Sequence, residues 1–464
     1  MNLCHYDTVA HGLRASYEDV QEGMSTPYGI ARTSTLWLLP QAGYQGKAQV
    51  ARDAERLMTD AQLLPTPEYL YEKRAFGIWS LPKDGKDPTE QRLALFTDFY
   101  QRAIEQHKWY GFWNYGDIMH AYDSERHSWR YDVGGYAWDN TELATPMWLW
   151  YNFLRTGRAD IWKMAEAMTR HCSEVDTYHI GPFAPLGSRH NVSHWGCGAK
   201  EARISQAAFD RFYYYLTTDE RTGDLMREQT DADTLLYHLD PMRLAEPRSQ
   251  YPCQAPARLR IGPDWLAYAG NWMTEWERFG TTTYRDKILM GLQSIAALED
   301  GIFTGNLAKG YDPATGRITY DGNPAVKITN HLMTIMGGFE VMNELLPLFG
   351  NHNFQFSILH SQFHNAWLDF ARRYKQMAVE TRNNHFPVRR LEAYAAWYDR
   401  DPSRMKSTWE ALWGVADNDL LLSGKSHTVL PPEVPAPIAE LPGVSTNNAA
   451  LWSLDAIYIL EVFP

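Results

Sequence analysis

Two stretches of this sequence gather side chains that can handle protons and bind an acid. One runs Asp176-Thr177-Tyr178-His179-Ile180-Gly181 and then Leu186-Gly187-Ser188-Arg189-His190-Asn191-Val192-Ser193-His194-Trp195-Gly196-Cys197-Gly198-Ala199-Lys200-Glu201-Ala202-Arg203. Its histidines, arginine and asparagine converge just ahead of a helix, whose unpaired N–H groups and positive dipole end suit an anionic sugar. The other extends from Trp109 through Trp113, Tyr115, Asp117 and His120 to Arg126, Arg130, Tyr136, Trp138, Asn140 and Glu142. It reads as a saccharide cleft, with Trp113, Tyr115 and Trp138 as stacking platforms and Arg126 or Arg130 facing a carboxylate. A hydrogen-bonded plug closing the end of a barrel is the plainer alternative.

The elements that would hold these loops follow from periodicity. Apolar residues recur at helical spacing in Ile161, Met164, Ala165, Met168; Ile204, Ala208, Phe212, Tyr215; Leu266, Ala269, Met273, Trp276; and Ile288, Leu292, Ile295. The pattern continues in Leu359, Phe363, Ala366, Phe370; Leu391, Tyr394, Ala395, Tyr398; and Met405, Trp409, Leu412, Trp413. Short breaks at Thr156-Gly157-Arg158, Thr218-Asp219-Glu220, Phe279-Gly280-Thr281, Phe349-Gly350-Asn351 and Asp399-Arg400-Asp401-Pro402 join them as hairpins. A sixth pair comes from the helix near Leu93 to Ile104 and a last helix capped by Ser445, Thr446 or Asn447. Six hairpins predict an all-α, closed (α/α)6 toroid over residues 91–464, since an open solenoid would need polar caps at both ends. Residues 1–90 form a short extension with a little β-structure: Gly29 to Leu39 reads as extended, and a short amphipathic helix surrounds Val50, Ala54, Leu57 and Met58.

Turns inside the hairpins are short, whereas the links between them, about 107–140, 176–200, 237–263 and 300–327, are long. Such links emerge at one end of a toroid, and loops of that length are uncommon unless functional.

Composition narrows the choice of partner. The chain has 464 residues, 44% of them hydrophobic, and a formal net charge of −12, so nonspecific contact with nucleic acid or anionic membranes is disfavoured. Its 18 Trp and 27 Tyr exceed what a helical core normally uses. Cys4, Cys172, Cys197 and Cys253 lack zinc-site spacing and read as reduced thiols. An N-terminus without an apolar h-region, and the lack of any long apolar stretch, imply a cytoplasmic protein or a domain cut from a longer chain. No glycine-rich phosphate loop suggests an organic cofactor, so none is expected. Metal ligation by His190 and His194 is set aside, because no local helix puts them on one face and no carboxylate completes a familiar spacing.

The segments Asn114-Tyr115-Gly116-Asp117, Trp129-Arg130-Tyr131-Asp132, Trp138-Asp139-Asn140-Thr141-Glu142, Arg189-His190-Asn191 and His194-Trp195-Gly196-Cys197-Gly198 resemble the toroid domain of the YetA-like proteins. That group is related to the exo-acting rhamnogalacturonan lyases of polysaccharide lyase family 26. The similarity runs from about residue 20 to beyond residue 230. It implies an (α/α) toroid acting on an acidic oligosaccharide or polysaccharide, with the β domains that precede it in full-length members absent here.

Uronate β-elimination needs a neutralised carboxylate, a base near C5 and an acid for the departing O4. Arg189 with Asn191 is the expected neutralising pair, since a guanidinium offers two parallel donors. His190 or His194 is the expected base, and Tyr178, Tyr136 or His179 the acid. Asp117, His120, Trp195, Lys200 and Glu201 complete the expected substrate-binding set. Two further readings remain open. Paired carboxylates among Asp117, Asp132, Asp139, Glu142 and Glu201 would instead serve glycoside hydrolysis, and a noncatalytic saccharide-binding toroid would bind without turnover. His331, opening a helix across the ring, reads as a structural cap more readily than as a pocket residue.

Overall fold

Each apolar stripe becomes a helix, and how much of its circumference is apolar decides which ring it joins. In the computed structural model, the described residues are 23–58, 63–131, 137–139, 141–189, 194–243, 245–305, 308–320, 327–330, 332–351, 357–381, 388–414 and 426–463. Helix α4 (Thr145–Thr156) is buried from Thr145 through Arg155, and α8 (Leu266–Phe279) from Leu266 through Glu275. Helices apolar all round belong in the interior, and these two, with α6 (Ala207–Thr217), α11 (Gly338–Asn351, preceded by the one-turn α10, Leu332–Ile335), α13 (Arg389–Asp399) and α15 (Thr446–Val462), make the inner ring.

The outer ring consists of α5 (Ala159–Glu174), α7 (Glu220–Glu228), α9 (Thr282–Ala296), α12 (Ser357–Glu380), α14 (Pro402–Trp413) and α3 (Pro88–His107). These helices are amphipathic; α7 buries only Thr222, Gly223, Leu225 and Met226. The ring closes because α15 packs against α4, while α6 packs on α8, α8 on α11, and α13 on α15. Helix α3 lies beside α15 and supplies the sixth pair, as expected from the sequence.

Capping chemistry makes the hairpin turns short. Gly157 and Gly280 end α4 and α8 in the left-handed conformation, at φ 65° and 68°, where a side chain would be strained. In two other hairpins, Asp219 and Asp401 start the second helix by accepting backbone N–H groups from Thr222 and from Ser403 and Arg404. At the opposite end, the links carry all the strands found among the described residues. β1 (Tyr122–Asp123) pairs with β2 (Ser128–Trp129), β3 (Gly187–Ser188) with β4 (Lys200–Glu201), and β8 (His427–Val429) with β9 (Ile438–Glu440), all antiparallel. A three-stranded antiparallel sheet of β5 (Ala257–Arg260), β6 (Ala308–Asp312) and β7 (Arg317–Thr319) joins two different links. A bridge between Ala121 and Ser445 ties the first link to the last.

Gly29 to Leu39 reads as extended in the sequence, but residues 30–40 form neither strand nor helix. They are anchored to the end of α5 instead: Ala31 N–H donates to the Glu174 carbonyl at 3.2 Å, and Thr33 N–H to its carboxylate at 2.6 Å. Beyond that anchor Leu36 and Leu38 are 85% and 91% exposed. Helix α1 (Lys47–Met58) buries none of its residues, and α2 (Pro67–Glu72) packs on α4. Among the described residues no helix is long and apolar enough to cross a membrane.

Candidate functional site

At the link end, four titratable side chains from three segments meet in the interior. Asp117 comes from the first link, His171 from the last turn of α5, and Asp176 and His194 from the second link. His171 Nε2 lies 3.2 Å from Asp176 Oδ2 and 3.4 Å from Asp117 Oδ2, and His194 Nδ1 lies 3.5 Å from Asp117 Oδ2. One nitrogen or oxygen from each falls within 4.8 Å of all the others, and all four residues are buried.

Local structure fixes each member. Gly116, at φ 100°, lets the first link press on α5: a Cβ there would stand 2.1 Å from the Ala167 carbonyl oxygen. Asp117 is oriented by the Ile118 N–H, which donates to its Oδ1 at 2.7 Å. The Asp176 carbonyl accepts from Ser188 N–H at 2.7 Å, and Trp195 Nε1–H donates to the Val175 carbonyl at 2.7 Å, so both flanks of the second link are held at the end of α5. Among the described residues, no hydrogen bond reaches either carboxylate oxygen of Asp176, either ring nitrogen of His171 or Nδ1 of His194.

The charges are strongly interdependent. Burial alone would lower His171, but the carboxylates of Asp176 and Asp117 push it up to about 10. Burial raises Asp117, yet the two imidazoles hold it well below the usual carboxylate range; at Asp176 burial outweighs the imidazole and the net shift is upward.

Above this cluster lies an aromatic rim. The His194 ring is 5.2 Å from Trp138 and 5.8 Å from Trp195, centroid to centroid, and Trp113 meets Trp195 edge-on at 5.3 Å. Tyr131 and Trp109 extend the rim beyond Trp138. Trp113 and Tyr131 are 43% and 42% exposed, so the outer part of the rim is open to a ligand.

Of the residues expected at the site, Asp117, His194, Trp113, Trp138 and Trp195 come together here, but Trp138 is only 8% exposed and belongs to the core, so it is not the stacking platform expected of it. Tyr115 is exposed beside Trp113 in the chain and carries the Arg32 guanidinium over its ring at 5.4 Å. Arg189 is half-buried, its N–H bonded to the Ala199 carbonyl on the β3–β4 hairpin. His190, Asn191, Tyr136, Asn140 and His331 lie outside the described residues, as does the Glu142 side chain.

Several others have structural partners. The Tyr178 phenol is buried and donates to the Thr26 carbonyl at 2.7 Å, and burial pushes its pKa well up. His179 is held between Glu228 Oε2, at 2.9 Å, and the Glu174 carbonyl, at 3.1 Å, on the outer-helix side. Lys200 directs its ammonium inward to Ser188 Oγ, the Trp195 carbonyl and the Cys197 carbonyl, at 2.8, 3.1 and 2.6 Å, which occupies all three donors. Glu201 is paired with Arg203 and, at 3.0 Å, with Arg260; although burial pushes its carboxyl up, the two guanidinium groups hold it well below its ordinary range. His120 Nε2 meets Asn447 Oδ1 at 2.7 Å, on the last helix. Arg126 turns to Asp123 at 2.7 Å in the exposed β1–β2 hairpin, and Arg130 is exposed just after it.

Sequence reasoning assigned no metal ligands, did not single out His171, and quoted Asp176 only as the start of a loop. The available signal was positional: His171 falls on the apolar stripe Met164, Ala165, Met168 of α5, where an ionisable group must have a partner.

Comparison with known proteins agrees with this architecture. Residues 60–464 match the family model described as the PcRGLX-like protein C-terminal alpha/alpha toroid domain, and residues 1–55 that of the PcRGLX-like protein central beta sandwich domain, so the expectation that the preceding β domains are absent does not hold for that stretch. Over 474 aligned residues the chain is 39% identical to the uncharacterized protein YetA of Bacillus subtilis (strain 168), an alignment that covers 100% of this chain and 53% of that protein. The chain therefore spans about half the length of the curated relative it matches.

Proposed function

Because the chain belongs to the PcRGLX-like family, we propose that it is the toroid of a rhamnogalacturonan-related, carbohydrate-active enzyme that cleaves a uronic-acid-containing glycan by β-elimination. The observation that carries the reading is the exposed Trp113 packed edge-on against half-buried Trp195 at the link end of the ring, Trp195 being borne by the same β3–β4 hairpin as Arg189. Apolar faces stack on sugar rings, and a guanidinium close by suits a uronate.

In this proposal Arg189 and Asn191 neutralise the uronate carboxylate, which acidifies the C5 proton. His190 removes that proton. His194 has its Nδ1 turned to Asp117, so its part is to shape the floor of the cleft. With the phenol of Tyr178 donated to Thr26 and His179 held by Glu228, Tyr136 is the group left to protonate the departing O4. Elimination is preferred to hydrolysis in this reading: of the candidate carboxylates, Asp117, Asp139 and Glu201 are buried, against two imidazoles, on the Thr446 hydroxyl, and against Arg203 and Arg260, while Asp132 and the Glu142 side chain lie outside the described residues. A hydrolase needs one such carboxyl free at the bond and a second positioned for water.

The test is product analysis with rhamnogalacturonan and with glucuronate-capped oligosaccharides, following ultraviolet absorbance and reducing ends together. Both signals should rise; reducing ends without absorbance would establish hydrolysis, and binding without either a saccharide-binding role. His190→Ala should abolish turnover while the helical circular dichroism stays intact, and an unchanged rate would remove His190 from the mechanism.

A further inference from the structure

We propose that Asp117, His171, Asp176 and His194 bind one divalent transition-metal ion, which fastens the two rim-bearing links to α5. The inference goes beyond the catalytic reading and does not depend on it.

The geometry is that of ligands around a common centre. A zinc-like ion about 2.0–2.1 Å from each nitrogen or oxygen places neighbouring tetrahedral ligand atoms roughly 3.3–3.4 Å apart. The separations here are 3.2, 3.4 and 3.5 Å, and all four candidate ligand atoms lie within 4.8 Å of one another. A second observation is independent of spacing. Asp176 and His171 are both 0% exposed, and among the described residues neither carboxylate oxygen of the one nor either ring nitrogen of the other makes a hydrogen bond. Buried groups of this kind are almost always satisfied, and a bound ion is one of the few things that satisfies them.

The donor set selects the ion. Two carboxylates with two neutral imidazoles carry a charge of −2, which a divalent cation balances. Two imidazole nitrogens favour Zn²⁺ or Mn²⁺ over the oxygen-seeking Ca²⁺ and Mg²⁺. Four protein ligands and burial on every side describe a closed, structural centre with no position left for substrate. The ion would join the first link through Asp117, the second through Asp176 and His194, and the outer helix through His171. It would thereby fix the floor on which Trp138 and Trp195 stand.

The rival account is an imidazolium of His171 held between two carboxylates with no metal. The chelator-dialysed chain, titrated separately with Zn²⁺, Mn²⁺ and Ca²⁺ and followed by calorimetry and elemental analysis, separates the two. The site predicts about one equivalent of Zn²⁺ or Mn²⁺ per chain, with Ca²⁺ at least roughly tenfold weaker. A rise in thermal midpoint on loading should be reversed by chelator, and Asp176→Asn should lose both the equivalent and the shift. Should that variant not fold, Co²⁺-loaded wild-type protein provides the second measurement: visible d–d absorption with imidazole-ligand signals in the paramagnetic NMR spectrum. Uptake of none of the ions by wild type, a featureless Co²⁺ spectrum, or full binding by folded Asp176→Asn would each overturn the proposal. Metal content is read without substrate, so a failure of the elimination reading leaves this result standing.

Discussion

Two charged groups are buried at opposite ends of the ring, and the fold treats them oppositely. Arg155, in the last turn of α4 at the turn end, is 1% exposed. Its guanidinium donates to the Ser80 carbonyl, the Ser80 hydroxyl and the Leu81 carbonyl, and it grips both Glu90 oxygens at 2.7 Å. Asp176, at the link end, is 0% exposed, and nothing among the described residues donates to its carboxylate. The first arrangement is complete in itself and brackets the N-terminal segment to the toroid. The second is incomplete by the same standard. A toroid can thus keep its turn end self-sufficient while burying polar groups without hydrogen bonds at the other.

The largest effect should come from opening the complete network. Arg155→Met leaves the Glu90 carboxylate and two backbone carbonyls facing an apolar side chain, at an expected cost of about 3–5 kcal/mol. Chemical denaturation would measure it; a cost below about 1 kcal/mol would mean that water reaches the site and that the contrast between the two ends is overdrawn.

An intermediate case lies between them. Asp210, on inner helix α6, receives one hydrogen bond, from Gln229 at 3.3 Å, and burial pushes its pKa up to about 7 against that bond. The sign follows from proton binding. Between the ordinary value of 3.8 and about 7 the folded protein keeps a proton that the unfolded chain has lost. Stability from this group is therefore full below the ordinary value and declines as pH rises, with a limiting slope of about 1.4 kcal/mol per pH unit until the folded carboxyl ionises. Asp210→Asn cannot ionise. Between pH 6 and 7.5 wild type should lose roughly 1 kcal/mol relative to the variant, and parallel stability curves would show that Asp210 is charged throughout.

The smallest stability effect belongs to the rim. Trp113→Ala removes a ring that is 43% exposed, so the unfolding midpoint should move by less than about 0.5 kcal/mol. Oligosaccharide affinity should fall several-fold, and calorimetric binding equal to wild type would place the saccharide elsewhere.

The ring itself was legible in the sequence. The stripe Ile161, Met164, Ala165, Met168 became the buried face of α5, and Gly157, Asp219, Gly280 and Asp401 became the caps that keep the turns short. The convergence of Trp113, Trp138, Asp117 and His194 was legible too, because loops on one end of a closed ring have little freedom to avoid one another. Lys200, Tyr178 and Glu201 were harder to place. A lysine that donates three bonds to its own loop and one that reaches for a ligand have the same sequence neighbours. His171 was hidden for the opposite reason: it occupies a position whose period says core, and the partners that make it chemically distinctive are Asp117, far away in the chain, and Asp176, beyond the end of the helix.

Periodicity and capping are local properties, set by a few consecutive residues, so the sequence alone determined the helices, their pairing and the end at which the long links gather. Which side chains at that end are spent on holding the links and which stay unsatisfied is a matter of where the separate segments come to rest. Only the closed ring decides it, because burial and partnership of a charged group depend on neighbours that the local sequence does not contain.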